Sequence, residues 1–204
     1  MTEKQNKIKD ETECETVYER ENKKEQKNPS YMLASCSVYV EDVPPFLKEL
    51  ANIGMKTGYH IVLIRSEYIA GKRHIETAIT HAIRSFATKP IAKTLEIEVL
   101  LFAAATRQTG LIHPFGVQKG KNECYICLIP RVNELQIKPF DLLQEAHITI
   151  EPLRSLDTPH INDKKDLSFF KENYNITSEE FAIIGEERLE DLVCERVVLL
   201  SLLK

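Results

Sequence analysis

Catalytic chemistry in this chain would sit where polar residues follow a buried-looking run. Val99 to Ala105 is apolar and ends abruptly in Thr106-Arg107-Gln108-Thr109-Gly110, with His113 and Pro114 just beyond. An imidazole that moves protons and a guanidinium that steadies developing negative charge would suit a small standalone enzyme built on Arg107, Gln108 and His113. Such a histidine needs a nucleophile and an orienting partner within hydrogen-bond reach, and the sequence names neither. A helix whose exposed end carries Arg107 and Gln108 as binding residues fits better. His113 and Pro114 then belong to a segment that re-enters the core at Phe115.

The remaining chemical motifs also fall short. Cys124 and Cys127 have CxxC spacing, but their segment reads as a strand, where residues three apart point to opposite faces. No second CxxC or paired histidine completes a tetrahedral site, so these thiols are expected to be structural and no metal is expected. Gly71-Lys72 hints at a phosphate loop, yet Ser66 and Arg73 stand where Gly and Ser/Thr are required. Neither G-x-G-x-x-G nor G-x-S-x-G occurs, and no cofactor is expected. His74 and His81 share one helix with Arg84 but lack the i, i+4 spacing of a metal pair, and read as a solvent-facing polar stripe.

Two features point to binding instead. Lys72, Arg73, Arg84, Lys89 and Lys93 face Glu76 alone between Lys72 and Lys93, a local basic cluster where phosphate would bind if it binds anywhere. At the other end, Leu189, Leu192, Val193, Val197 and Leu200 make one helical stripe. Val198, Leu199, Leu202 and Leu203 then render the last turns apolar nearly all round. A helix apolar on every side must be covered on every side, by its own domain or by a partner.

The elements that must carry these residues follow from periodicity and punctuation. The chain has 204 residues, enough for one domain, with residues 1–30 as a polar, disordered or partly helical extension and 31–204 as the folded part. Its formal net charge of -4 excludes a generally basic nucleic-acid binder. Five cysteines at irregular spacings suit a reducing compartment. The polar N-terminus is no secretory signal, and no apolar run approaches the roughly 18 residues that span a bilayer. A cytoplasmic protein, or a nuclear one in a eukaryote, is expected, with no membrane partner.

Residues 32–40 read as a strand. Pro44 and Pro45 open a helix that should run to about Ile53 and stop at Gly54. His60 to Arg65 is a buried strand. Ile75, Ala78, Ile79, Ala82, Ile83 and Phe86 trace an amphipathic helix that Pro90 ends. Residues 92–105 suit a second, more buried helix, apolar from Glu96 to Ala105. Residues 123–129 and 146–151 read as strands, and 153–163 as a polar loop. Thr177 with Glu180 forms a capping box, and residues 185–204 read as one long helix that begins acidic. The expected fold is α/β (α+β): a single domain with a small mixed β-sheet packed with helices and a long C-terminal helix.

The run HIETAITHAIRSFATKPIAKTLEIEVLLFAAATRQTGLIHPFGV resembles the core of the smallest KEOPS subunit, the PRPK-binding-protein family. ITSEEF followed by RLEDLVCERVVLLSLLK resembles that family's second signature, a Leu-Glu-x-Leu-Val-x-Glu-Arg helix ending in aliphatics. The resemblance covers roughly residues 31–204 and departs at Thr109-Gly110, where relatives more often carry an apolar residue. It implies a non-catalytic subunit of the complex that installs threonylcarbamoyladenosine in tRNA, the transferase chemistry belonging to another subunit. Such a subunit binds the N-lobe of the small kinase/ATPase subunit and helps recruit tRNA, including its single-stranded 3′ acceptor end. By that resemblance Lys72, Arg73, His81, Arg84, Lys89, Lys93, Arg107 and Gln108 would meet tRNA. Val197, Val198, Leu199, Leu202 and Leu203 would meet the kinase. A scaffold that binds protein alone is the blander alternative, and the acidic net charge suits it.

Overall fold

The computed structural model describes residues 30–132, 134, 136–151 and 167–202. The extension at 1–29, the loop at 153–163 and Leu203 lie outside the described residues. Four strands, β1 (Met32–Val40), β2 (Tyr59–Arg65), β3 (Gly120–Pro130) and β4 (Ile148–Glu151), form one sheet in the order β2-β3-β1-β4. The helices are α1 (Val43–Thr57), α2 (Lys72–Thr88), α3 (Leu95–Ala103), α4 (Phe140–Glu145), α5 (Leu167–Asn173), α6 (Ser178–Ile184) and α7 (Leu189–Leu200).

The α+β class holds, but each of the three strand pairings is antiparallel, not mixed as expected. The cause is topological. β1 and β2, joined through α1, run the same way but have β3 between them. β3 and β4, joined through α4, have β1 between them. Two interlocked split β-α-β units therefore place no parallel pair side by side.

Strand alternation sends side chains to two separate cores. Cys36, Val38, Ile61, Leu63, Cys124 and Ile126 face α1 and α4, against Leu50, Ile53 and Leu143. Val62, Ile64, Tyr125, Cys127 and Ile129 face α2, α3 and α7, against Ile75, Ile79, Phe102 and Val193. Cys124 and Cys127 thus lie on opposite faces, as their spacing on a strand requires. Burial pushes the Cys124 thiol up to about 12 and Cys127 higher still, so both are inert at neutral pH.

Helix α1 begins with its prolines in the first turn but does not stop at Gly54. It runs on to Thr57 and ends at Gly58, which adopts φ 75° and closes the helix by donating to the Gly54 carbonyl. Gly54 serves a different purpose: a Cβ there would lie 2.7 Å from the Tyr59 carbonyl oxygen. It lets helix and strand approach, while the left-handed conformation that ends the helix falls four residues later.

Helix α3 is shorter than the expected 92–105. The Thr94 side chain caps its start by accepting from the Ile97 amide at 3.4 Å. At its end Thr106 N donates to Leu101 O and Ala105 N to Phe102 O, both at 3.0 Å, with Ala105 at φ 48°. These bonds form a Schellman motif in which alanine fills the left-handed position that glycine favours. Left-handed alanine costs roughly 1–2 kcal/mol, partly offset by the greater unfolded freedom of glycine. Ala105→Gly is therefore expected to stabilise the protein by about 0.5 kcal/mol in urea titrations. A lowered midpoint would contradict this account of the helix end.

In the C-terminal region the capping box forms as expected, with Glu180 N donating to Thr177 Oγ1 at 3.1 Å and Thr177 N to Glu180 Oε2 at 2.9 Å. The single long helix over 185–204 does not form. Gly185 at φ 77° leads into a 3-10 turn, Glu186–Arg188, and α7 spans only Leu189–Leu200. The short helices α4 and α5 had no counterpart in the periodicity of the sequence.

Candidate functional site

Helices α2 and α3 form a pair running in opposite senses, with α7 against α2. His74, in the first turn of α2, is fully buried rather than on a solvent-facing stripe. Its Nδ1 accepts from the Ala70 amide at 3.0 Å, so Nε2 carries the proton and donates to the Ala103 carbonyl at 2.9 Å. Tyr174 Oη donates to the same carbonyl at 2.6 Å, its ring set edge-on to the imidazole. One neutral side chain thus joins the start of α2, the end of α3 and the end of α5.

The acidic start of α7 closes the same end of the pair. Glu190 Oε1 accepts from the His74 amide at 3.0 Å and so caps α2 from another helix. A Cβ on Gly71 would overlap that carboxylate, so a larger residue there would displace the Glu190 side chain. Arg73 pairs with Asp191 at 2.5 Å, and Arg188 reaches the other oxygen of Asp191 at 3.0 Å. Hydrogen bonds from Arg188 and Arg73 hold Asp191 below the usual carboxylate range, and Asp191 in turn holds Arg73 up.

The eight expected RNA-contacting residues therefore do not make one patch. Lys72 and Arg73 lie at the start of α2. Arg107 and Gln108, both exposed, follow the end of α3, which His74 ties to that same start. This end also carries Glu190 and Asp191. Arg84, Lys89 and Lys93 lie at the other end, around the α2–α3 connection. Along α2 the nearest members of the two groups, Arg73 and Arg84, are about 16 Å apart, beyond a Debye length of about 8 Å, so they act as separate charge sites. Lys72, Arg84, Lys89 and Lys93 have no ion-pair partner among the described residues. His81 sits between the ends, half-buried and stacked on Phe102 with ring centroids 6.3 Å apart. Burial, helped by the Arg84 charge, lowers its pKa, so it offers a ring face rather than a charge at neutral pH.

Phe115 is fully buried and His113 exposed, as expected of a segment re-entering the core. His113 makes no hydrogen bond or ion pair among the described residues. Among the described residues there is also no group of three or more histidine, cysteine or acidic side chains that could hold a metal.

At the far end of α7 the apolar residues divide. Val197 and Leu200 are buried in the core, whereas Val198, Leu199 and Leu202 are 38%, 42% and 69% exposed. Val197 is thus corrected from interface to core; Leu203 lies outside the described residues. Arg196 fixes the helix from behind, with Nε donating to the Tyr174 carbonyl at 3.2 Å and a terminal nitrogen reaching Glu180 at 2.7 Å. Glu190 and Arg196 both belong to the Leu-Glu-x-Leu-Val-x-Glu-Arg pattern, and both hold the fold together.

Sequence reasoning missed one polar residue of this region. Glu98, fully buried on α3, accepts from Ser85 Oγ at 2.6 Å and from the amides of Ile91 and Ala92 at 3.0 and 2.7 Å. The signal was present: Leu95, Glu98, Val99 and Phe102 follow i, i+3, i+4, i+7, with a carboxyl at a core position.

Fold and surface together define a small α+β protein whose distinctive chemistry is external, an exposed apolar helix end and an unpaired cationic turn. The family model described as kinase binding protein CGI-121 matches residues 40–201, and the chain belongs to that family. No curated protein matches the chain. No described helix is long and apolar enough to cross a membrane.

Proposed function

We propose that this chain is a non-catalytic regulatory subunit of the KEOPS complex that forms threonylcarbamoyladenosine in tRNA. It binds the N-lobe of the kinase/ATPase subunit through Val198, Leu199 and Leu202, and helps recruit tRNA, including its 3′ acceptor end. It meets the transferase subunit only indirectly, contributes no catalytic residue, and works in the cytoplasm. The observation that carries the kinase half is the apolar end of α7, exposed on one side while Val197 and Leu200 seal the other. The family's description as kinase binding supports the same partner.

The RNA half rests on Arg84, Lys89 and Lys93. They form no ion pair among the described residues, whereas Arg73 is paired with Asp191. Changing all three to glutamate is expected to weaken tRNA binding at least tenfold in a low-salt gel shift. The salt slope should also flatten by about 0.7 for each single-strand phosphate that is no longer neutralised. Unchanged affinity at low salt would sink this RNA site and leave a scaffold that binds protein alone.

A further inference from the structure

We infer that Glu98 is a positioning residue for RNA binding: its buried carboxyl group holds the α2–α3 connection in the conformation that presents Lys89 and Lys93. The inference rests on the RNA reading above and deepens it.

The connection is short, from Lys89 to Thr94, and carries the two lysines on either side of Pro90-Ile91-Ala92. A loop of this kind would lose backbone freedom on binding a flexible single strand, and that loss would oppose binding. Here the freedom is already removed. Two successive amides, Ile91 N and Ala92 N, point into the protein and converge on Glu98, Ile91 reaching both carboxyl oxygens at 3.2 and 3.0 Å and Ala92 one at 2.7 Å. Consecutive amides of this kind form an anion-binding nest, and the chain fills it with its own carboxyl group. Ser85 Oγ clamps the same group at 2.6 Å and also reaches the Lys89 carbonyl at 3.3 Å. The Lys89 amide is fixed in turn on the Ser85 carbonyl at 2.8 Å. The Ile91–Ala92 end of this backbone is therefore tied directly to the fully buried Glu98, and the Lys89 end to Ser85, whose one hydroxyl proton is shared between Glu98 and the Lys89 carbonyl. The flanking Lys89 and Lys93 are exposed.

The sign of the expected effect separates positioning from simple charge. Glu98→Gln removes a negative charge beside a cationic turn, so long-range electrostatics alone would raise affinity for RNA. Its amide oxygen can still accept from Ile91 and Ala92 where Oε2 stood, but as a neutral acceptor, so the bonds that hold the connection weaken. If Glu98 positions the lysines, affinity falls instead.

The test uses the full chain and an unmodified tRNA transcript, titrated at two or more salt concentrations, with circular dichroism to confirm folding. Glu98→Gln is expected to weaken binding about threefold in the wild-type background and by no measurable amount in a chain that already carries Lys89→Ala and Lys93→Ala. Ser85→Ala, a milder change that leaves the amide nest filled, is expected to weaken binding two- to threefold, and decides the matter should Glu98→Gln fail to fold. Unchanged or raised affinity in Glu98→Gln, or an equal loss in both backgrounds, overturns the inference. So does wild-type affinity in Ser85→Ala. If Lys89→Ala with Lys93→Ala leaves tRNA binding intact, the RNA reading itself fails, and the inference with it.

Discussion

A chain carrying Val198→Asp and Leu202→Asp is expected to stay folded and to lose capture of the KEOPS kinase/ATPase subunit. The two side chains are one helical turn apart and are exposed in the free protein. Substitution at such positions changes stability by about 0.5 kcal/mol or less. In a complex the same positions would be desolvated, and a carboxylate placed there would lose its hydration without gaining a partner. Apolar anchors at the centre of an interface are each worth about 2 kcal/mol or more. The pair should therefore raise the dissociation constant at least a hundredfold, read by calorimetry or by co-purification of the co-expressed subunits.

The control is Val197→Asp. Val197 is fully buried between α7 and the rest of the helical layer, so an aspartate there would disrupt the core. That variant would also fail to bind, but with collapsed thermal stability. Only the Val198/Leu202 pair separates binding from folding. Wild-type affinity in a well-folded double variant would remove the kinase site from the end of α7.

What the sequence made legible, and what it hid, divides along physical lines. β1 was readable because one face is buried over most of its length, so buried and less buried positions alternate from Ala34 to Val40. The core stripe of α2 was equally plain. Gly54 misled because glycine marks both helix ends and close approaches, and only the neighbouring Tyr59 carbonyl distinguishes them. Helices α4 and α5, with six and seven residues, span too few turns to show a period. The expected basic cluster divides in two for another reason. A count of charges along the chain sees neither Asp191, which is remote in sequence from Arg73, nor the length of α2, which splits the cluster between two ends. Val197 was grouped with its neighbours because an all-apolar run has no polar residues to reveal which side faces water.

His74 shows the same limit from the side of stability. The sequence paired it with His81 as a polar stripe. Yet His74, Ala78 and Ala82 are spaced four apart, and that row is buried throughout. Replacing His74 by alanine is expected to cost about 3–4 kcal/mol. The Ala70 amide would lose its acceptor inside the protein, an orphaned donor worth roughly 1–3 kcal/mol. The space left by the ring adds roughly 1–2 kcal/mol, since α3, α5 and α7 all pack around it and cannot collapse together. The Ala103 carbonyl is spared because Tyr174 still donates to it. For a domain of this size the midpoint of thermal unfolding should fall by about 10 °C. His74→Asn refines the test: its side-chain oxygen can take over acceptance from Ala70, so it should recover a measurable part of the loss. An alanine variant within about 1 kcal/mol of wild type in urea titrations would show that the imidazole does not join these helices. So would an asparagine variant no better than alanine, because the acceptor at Nδ1 would then carry none of the cost.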